Sequence, residues 1–468
     1  SLRKVCSNMK LEKLLLCLLL SLSVALPIAR CASYQTMTNW KFGSAKLTPF
    51  YASIAVSSLG EENTFAMLSD TKPNYSFAAV TLGNIHFETG VTNVQNFKIS
   101  VPNYQDCATI SAGFLAEYDD SAYLIFRCRT ITSSRDYDYF FAKLVQLDAA
   151  WSVSKYIVIS QDDIPLSLYS PYVAYTRSKI VLVFGYEKMQ ILGMNGDLTT
   201  EFMIVNETLA MASVGIAGVE GTDTFAVSAI VNESGDVASY VATFDASTGA
   251  VLTEVFYAGF SGMFIDNLAI SSAGISMCAT GWGDGQASYL LNPEDLSPVS
   301  AVFGGSADAL DTKCLASGPV TAVVNILPRG RFAVGVTDTR GTISTSFQGG
   351  ELKDGETFAV SNAELVNGGK TLLLTGTDMT TLSPTLVTID MASIENELPS
   401  SAEKWTKIEI TKSLNMSSEW TKGSNVKSLV GDQQLLHPLS ASTKTTNLSA
   451  SESSSLSDFK SEFLPLNQ

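Results

Sequence analysis

Histidine is nearly missing from this chain: His86 and His437 are the two it has in 468 residues. A Ser-His-Asp hydrolase therefore has little to be built from, and no Gly-x-Ser-x-Gly elbow occurs. A lone imidazole on a strand is more often structural than catalytic. No His-Glu-x-x-His, Cys-x-x-Cys, phosphate loop or dinucleotide fingerprint is present either. Basic clusters interleaved with aromatics are lacking, and the formal net charge is −16, which argues against nucleic acid as a partner. Helical periodicity is hard to find between residues 34 and 412. What remains is a strand-forming chain with 46% hydrophobic residues, ample for a core.

The first thirty or so residues read as an address. Met9–Lys13 is a short basic start, Leu14–Leu26 is an apolar run, and Pro27–Ala32 offers small residues suited to cleavage near Cys31. A membrane anchor needs roughly twenty apolar residues, and Pro27 ends this run too early. Residues 1–31 are thus expected to be leader and signal peptide. No second run of that length follows, so the mature chain is expected to be secreted or held at the cell surface, and not an integral membrane protein. An oxidising compartment suits Cys107, Cys128, Cys278 and Cys314, an even number left after the leader. Their order favours pairs 107–128 and 278–314, although four cysteines permit three pairings. Sequons begin at Asn74, Asn206, Asn232, Asn415 and Asn447; in a chain this rich in Ser and Thr, roughly four or five arise by chance. They permit glycosylation without arguing for it.

The segment "YVATFDASTGAVLTEVFY", Tyr240–Tyr257, reads as a hairpin: alternating flanks around Asp245–Gly249, where Asp can bond the backbone ahead and Gly tolerates positive φ. Looser relatives centre on Asp148, Asn195, Asn292, Asp338 and Asp390, at successive intervals of 47, 50, 47, 46 and 52 residues with Asp245 included. An earlier copy lies near Gly83. Each hairpin is preceded by a compact apolar run that reads as a fully buried strand, beginning at Thr64, Ala122, Ile180, Thr224, Gly274, Val320 and Thr371. Further alternating segments, such as Met211–Val219 and Phe358–Val366, lie upstream of several.

One period thus holds about four short strands, repeated seven times. That is the signature of an all-β, seven-bladed β-propeller of four-stranded antiparallel blades over residues 32–412. Each sheet has two apolar faces that it cannot bury alone, and radial packing covers both. Stacked β-sandwiches are the competing architecture, with no reason to keep the spacing. Ring closure asks one terminus to complete a blade begun by the other, and both Thr38–Leu47 and the alternating segment from Glu403 offer a strand.

"FDASTGAVL", Phe244–Leu252, resembles the Asp-x-x-Thr-Gly turn of quinoprotein-like and related bacterial β-propeller repeats. The resemblance implies the ring. It does not extend to a cofactor, because Trp40, Trp151, Trp282, Trp405 and Trp420 follow no one-per-blade rule; none is expected. Residues 413–468 change character, with eleven Ser or Thr among the eighteen residues 440–457, and are expected to form a disordered or O-glycosylated tail.

Acids in polar loops keep a glycosidase in view, since two carboxylates suffice for glycoside hydrolysis. Candidates are Glu117–Asp120, Arg135–Tyr139, Gln161–Pro165 and Gly281–Gly285. Calcium is a weaker possibility, with Asp136 and Asp138 at alternate loop positions. Aromatics in "SPYVAY" (170–175) and "GWGDG" (281–285) can stack on sugars, grip a protein, or belong to the core. The sequence favours a secreted, non-catalytic propeller that binds an extracellular protein or glycan through one face. The alternatives are a glycan-active hydrolase or lyase using loop carboxylates, and a building block of an extracellular coat.

Overall fold

A computed structural model describes most of residues 35–447; among the loop segments outside the described residues, the longest are 161–170, 350–357 and 392–405. The two ends, 1–34 and 448–468, also lie outside it, so the signal-peptide expectation for 1–31 falls beyond what is described.

Strands pair in seven antiparallel sheets. Blade 1 comprises Thr48–Val56, Asn63–Lys72, Ala78–His86 and Gly90–Ile99, and blade 2 comprises Tyr104–Phe114, Ser121–Thr130, Tyr137–Leu147 and Ala150–Ile159. Blade 3 is Tyr172–Tyr175, Lys179–Gly185, Met189–Asn195 and Thr200–Asn206, and blade 4 is Met211–Gly218, Thr224–Glu233, Asp236–Asp245 and Val251–Ala258. Blade 5 is Met263–Ser271, Gly274–Gly281, Gln286–Leu291 and Pro298–Gly304; blade 6 is Asp311–Ser317, Val320–Ile326, Phe332–Thr337 and Ile343–Gly349. Blade 7 takes Phe358–Val366, Thr371–Asp378 and Ser383–Asp390 from the end of the repeat array, and its fourth strand, Gln35–Met37, from the beginning of the chain.

Each apolar run singled out in the sequence is the second strand of its blade. That position has a paired strand on either side and a neighbouring blade on either face, so nothing on it needs to be polar. Its residues are accordingly buried, as in Phe65–Leu68, Ala122–Phe126 and Leu372–Leu374. The periodic turns join third to fourth strands. At Asp245 the expected chemistry is in place: Ser247 N–H donates to Asp245 Oδ1 at 2.7 Å, Gly249 N–H closes onto Asp245 O at 2.8 Å, and Gly249 has φ 74°.

Burial explains closure. The buried apolar residues fall into seven clusters, and each lies between two successive blades, including one that joins Phe65 and Ile85 of blade 1 to Leu373 and Leu386 of blade 7. A sheet in this ring is shielded on both faces by its neighbours, as the repeat spacing demands. Between blades 1 and 2 the cluster has 20 buried residues. Between blades 5 and 6 it has three among the described residues, Cys278, Cys314 and Val323. Cys278 and Cys314 form a disulfide there that ties the two blades covalently. The second disulfide, Cys107–Cys128, joins adjacent strands inside blade 2.

Three expectations are corrected. The copy placed near Gly83 passes from one strand to the next between His86 and Gly90, because Gly83 sits inside a strand, where the Phe65 ring would come within 2.8 Å of any Cβ. The closing strand is Gln35–Met37, whereas Lys41–Phe42 pairs with Ala441–Ser442 in a small separate ladder. Asp390 ends a strand with no hairpin return, since the fourth strand arrives from the other end of the chain.

The largest correction concerns 420–447, part of the segment expected to be a disordered tail from 413; residues 448–468 of that segment lie outside the described residues. After blade 7 the chain runs back round the rim against the order of the blades and adds a fifth strand to one outer edge after another. Thr406–Lys407 pairs with blade 5, Thr411–Lys412 with blade 4, Trp420–Lys422 with blade 3, Leu429–Gly431 with blade 2 and Leu436–Pro438 with blade 1. Thr445–Asn447 then lies on Gln35–Met37 of blade 7. Edge groups that would otherwise face solvent are paired, and side chains from this belt enter the junctions: Leu435 and Leu436 are buried between blades 1 and 2, and Trp420 packs edge-on against Phe244 with centroids 5.2 Å apart.

Candidate functional site: the mouth of the axial channel

The innermost strand of every blade is its first, and these seven strands line the axis. They end at one face of the ring, where they and the turns that follow enclose a cavity of about 900 Å³ with walls from all seven blades. Approach between innermost strands depends on missing side chains. A Cβ on Gly113 of blade 2 would lie 2.2 Å from the Tyr175 ring of blade 3, and one on Gly218 of blade 4 would lie 2.0 Å from Tyr175 O.

The walls mix apolar side chains, Val56, Phe114, Ile216 and Ile270 among them, with small polar ones. Among the described lining residues the titratable side chains are His86, Tyr175 and Glu364. Tyr175 donates to Ser111 Oγ at 3.2 Å, and burial raises its phenol well above the ordinary range, so it stays neutral. The mouth thus offers a largely uncharged concavity in which aliphatic side chains alternate with hydroxyl and amide groups such as Ser57, Asn63, Ser271 and Asn367.

Its rim is a chain of turns. Glu117 N–H of blade 2 donates to Arg177 O of blade 3 at 2.9 Å, and Arg177 N–H donates to Thr222 O of blade 4 at 2.8 Å. Asp223 clamps the same place, accepting from Ser178 N at 2.8 Å, Ser178 Oγ at 2.9 Å and Thr176 Oγ1 at 3.0 Å. Sequence reasoning passed over Asp223; its signal is an acid in a Gly-Thr-Asp turn immediately before a buried strand. Further out, the Lys143 ammonium sits 4.6 Å from the Tyr118 centroid, Lys155 donates to Asp197 O at 2.6 Å, and Lys179 pairs with Glu201 at 2.6 Å. Of these, the Lys155 bond ties blade 2 to the turn of blade 3.

The residues singled out in the sequence are scattered. Glu117 and Asp120 lie in the turn before the second strand of blade 2, where Asp120 accepts from Ser121 Oγ at 2.8 Å. Asp138 lies at the other end of that strand, opposite Cys128, and accepts from the Tyr104 hydroxyl at 2.7 Å. Burial and then this carboxylate push the Tyr104 phenol up to about 12. The two acidic stretches of blade 2 therefore occupy opposite ends of the blade and do not form a pair. Asp136, 161–165 and 282–285 lie outside the described residues. No group of three or more His, Cys, Asp or Glu side chains placed to hold a metal occurs among the described residues, and no helix among them is long and apolar enough to cross a membrane. "SPYVAY" is an innermost strand, with Tyr172 exposed and Tyr175 in the channel wall.

His86 is an exposed strand end at the channel mouth, and His437 is an exposed belt residue opposite Lys98. At the Asn206 sequon the side chain is fully buried and its Oδ1 accepts from Leu209 N at 2.9 Å. Asn232 is on the second strand of blade 4 and Asn447 on the last belt strand, whereas Asn74 and Asn415 lie outside the described residues.

No protein-family model matches this chain, and no curated protein matches it. Among solved structures, a Trypanosoma rangeli sialidase in complex with sialic acid is similar at 11% identity and a TM-score of 0.41, over 76% of this chain and 59% of the sialidase. Chaetomium thermophilum Sqt1 bound to the N-terminus of ribosomal protein L10 is similar at 12% identity and a TM-score of 0.40, over 74% and 98% of the two chains. BBS1N in complex with ARL6DN is similar at 10% identity and a TM-score of 0.40, over 77% and 99%. These similarities carry no activity or ligand over to this chain.

Proposed function

We propose that the protein is a secreted recognition propeller, and that the mouth of its axial channel receives a protruding segment of an extracellular protein partner. The observation that carries this reading is the 900 Å³ concavity assembled from all seven blades, where apolar side chains and hydrogen-bonding groups line one preformed mouth. A rim of turns bonded from blade to blade keeps that mouth preformed, which lowers the ordering cost of binding. Secretion is supported by the apolar leader at Leu14–Leu26 and by two disulfides.

The test is to screen the mature chain against an array of extracellular proteins and a glycan panel, alongside Ala217→Trp, which plugs the channel. The reading expects a protein hit that weakens by about tenfold or more in the plugged variant, the loss expected when an anchor residue is shut out. A protein hit that tolerates the plug would sink it. So would glycan turnover abolished by Glu364→Gln with the fold intact, which would establish the glycan-active alternative.

A further inference from the structure

A second cavity, of about 440 Å³, lies on the rim between the outer strands of blades 1 and 2, bordered by belt residues. Phe97, Trp151, Val153, Tyr156, Leu436 and Pro438 form its apolar lining. Trp151 is 5% exposed. Its backbone N–H donates to Gln95 Oε1 at 3.2 Å, but its indole Nε1–H meets no acceptor among the described residues. Trp420 shows what such a group ordinarily does: its Nε1–H donates to the Tyr240 hydroxyl at 3.3 Å. A buried indole donor left over in the wall of a cavity is costly unless something supplies an acceptor.

Beside this cavity runs the belt strand Leu429–Gly431, the outer edge of blade 2. Leu429 and Val430 are 74% and 71% exposed. The belt strands on blades 1, 3, 4 and 5 each contain a lysine or a proline, residues that discourage further pairing, and Leu-Val-Gly contains neither. An unguarded apolar edge therefore adjoins an apolar cavity with a spare donor.

We infer that this part of the rim is a peptide-docking site. An extended segment of a partner protein adds a strand to Leu429–Gly431, places a bulky apolar side chain in the cavity, and, as the indole shifts to open its enclosed edge, offers a carbonyl oxygen to Trp151 Nε1–H. The belt already binds the same rim in the same mode, by an added strand and by Leu435 and Leu436 seated in the junction of blades 1 and 2. The incoming peptide continues that interface one strand outward. The site is independent of the channel mouth.

Three probes test it. One is an acetylated, amidated hexapeptide alternating threonine and valine around a central phenylalanine; another is N-acetylphenylalanine amide; the third is propylbenzene, which has the anchor and no acceptor. The readout is the indole ¹H–¹⁵N resonance of Trp151, assigned by its loss in Trp151→Phe. The hexapeptide is expected to shift that resonance saturably and to bind about tenfold more tightly than the single-residue amide. Val430→Lys is expected to weaken the hexapeptide and leave the amide unchanged. Trp151→Phe is expected to weaken both amide-containing probes about tenfold and spare propylbenzene, whose binding to the variant is followed by calorimetry. If Trp151→Phe does not fold, Val153→Phe, which fills the cavity, must abolish the shift. Three results would overturn the inference: a resonance that no probe moves, as when an acceptor within the chain holds the donor; a single-residue amide that binds as tightly as the hexapeptide; and indifference of the hexapeptide to Val430→Lys.

Discussion

The junction between blades 1 and 2 and the junction between blades 5 and 6 solve one problem in opposite ways. The first is thick: 20 buried residues, with Leu435 and Leu436 of the belt among them. The second has three buried residues among those described, and two of these are the half-cystines of the bond that crosses it. A closed ring has as many seams as blades and opens at its weakest. The covalent link crosses the second junction, while the other disulfide spans no seam. If position around the ring matters as well as loop length, removing the two bonds should have different effects.

The comparison breaks most severely if the belt is removed. Ending the chain after Lys412 deletes Leu435 and Leu436, and burying such a side chain contributes about 1.5–3 kcal/mol, before the uncovered edges of blades 1, 2 and 3 are considered. We expect a large fall in thermal midpoint and concentration-dependent association, read by scanning calorimetry and light scattering. Ending the chain after Asn447 should leave both measurements near the full-length values. An unchanged midpoint after the longer deletion would show that the thick junction does not need its belt.

Next in size is the loss of the seam-crossing disulfide. Cys278→Ala with Cys314→Ala releases a loop of separation 36, worth about 4 kcal/mol of chain entropy, and Cys107→Ala with Cys128→Ala a loop of separation 21, worth about 3 kcal/mol. On entropy alone the two should nearly match. The comparison sharpens if native-state hydrogen exchange shows Val320–Ile326 opening early in the first variant and no corresponding opening of a seam in the second. Equal, purely global effects would mean that the seams are equivalent.

The smallest effect concerns the neighbouring seam. The Tyr257 hydroxyl of blade 4 donates to Leu296 O of blade 5, and burial, with Asp295 adding to it, pushes this phenol up to about 12. A folded value above the unfolded value of about 10 means that its share of stability is whole below pH 10 and is lost as pH climbs through about 12. Tyr257→Phe should cost about 1 kcal/mol at neutral pH and flatten part of the fall in stability between pH 10 and 12. Denaturant midpoints measured across that range decide it.

How much of this was legible follows from how local each solution is. The second strands could be read off because central strands between two neighbouring blades are predominantly apolar, and the third-to-fourth turns because Asp245, Asn195 and Asn292 each bond the backbone ahead of them. The belt could not, because its strands are two or three residues long, too short to alternate, and their partners lie hundreds of residues away. Its Ser/Thr-rich composition resembles that of an unfolded tail, and only the scattered Trp420, Leu435 and Leu436 mark it as docked. The channel mouth was equally silent, since its lining is three to six residues from each of seven blades, with no local pattern to join them. The closing strand, Gln35–Met37, has three residues and no pattern.

Gln35–Met37 lies between Thr385–Asp390 of the last repeat and Thr445–Asn447 at the far end of the chain. A nascent chain emerging from the ribosome must therefore hold its earliest folded residues in reserve until its latest ones are made, because the seventh sheet lacks a partner for either until then. Ring closure becomes a post-translational event dominated by distant contacts, the slow kind, and a prematurely terminated chain is left visibly unfinished to whatever inspects newly made proteins.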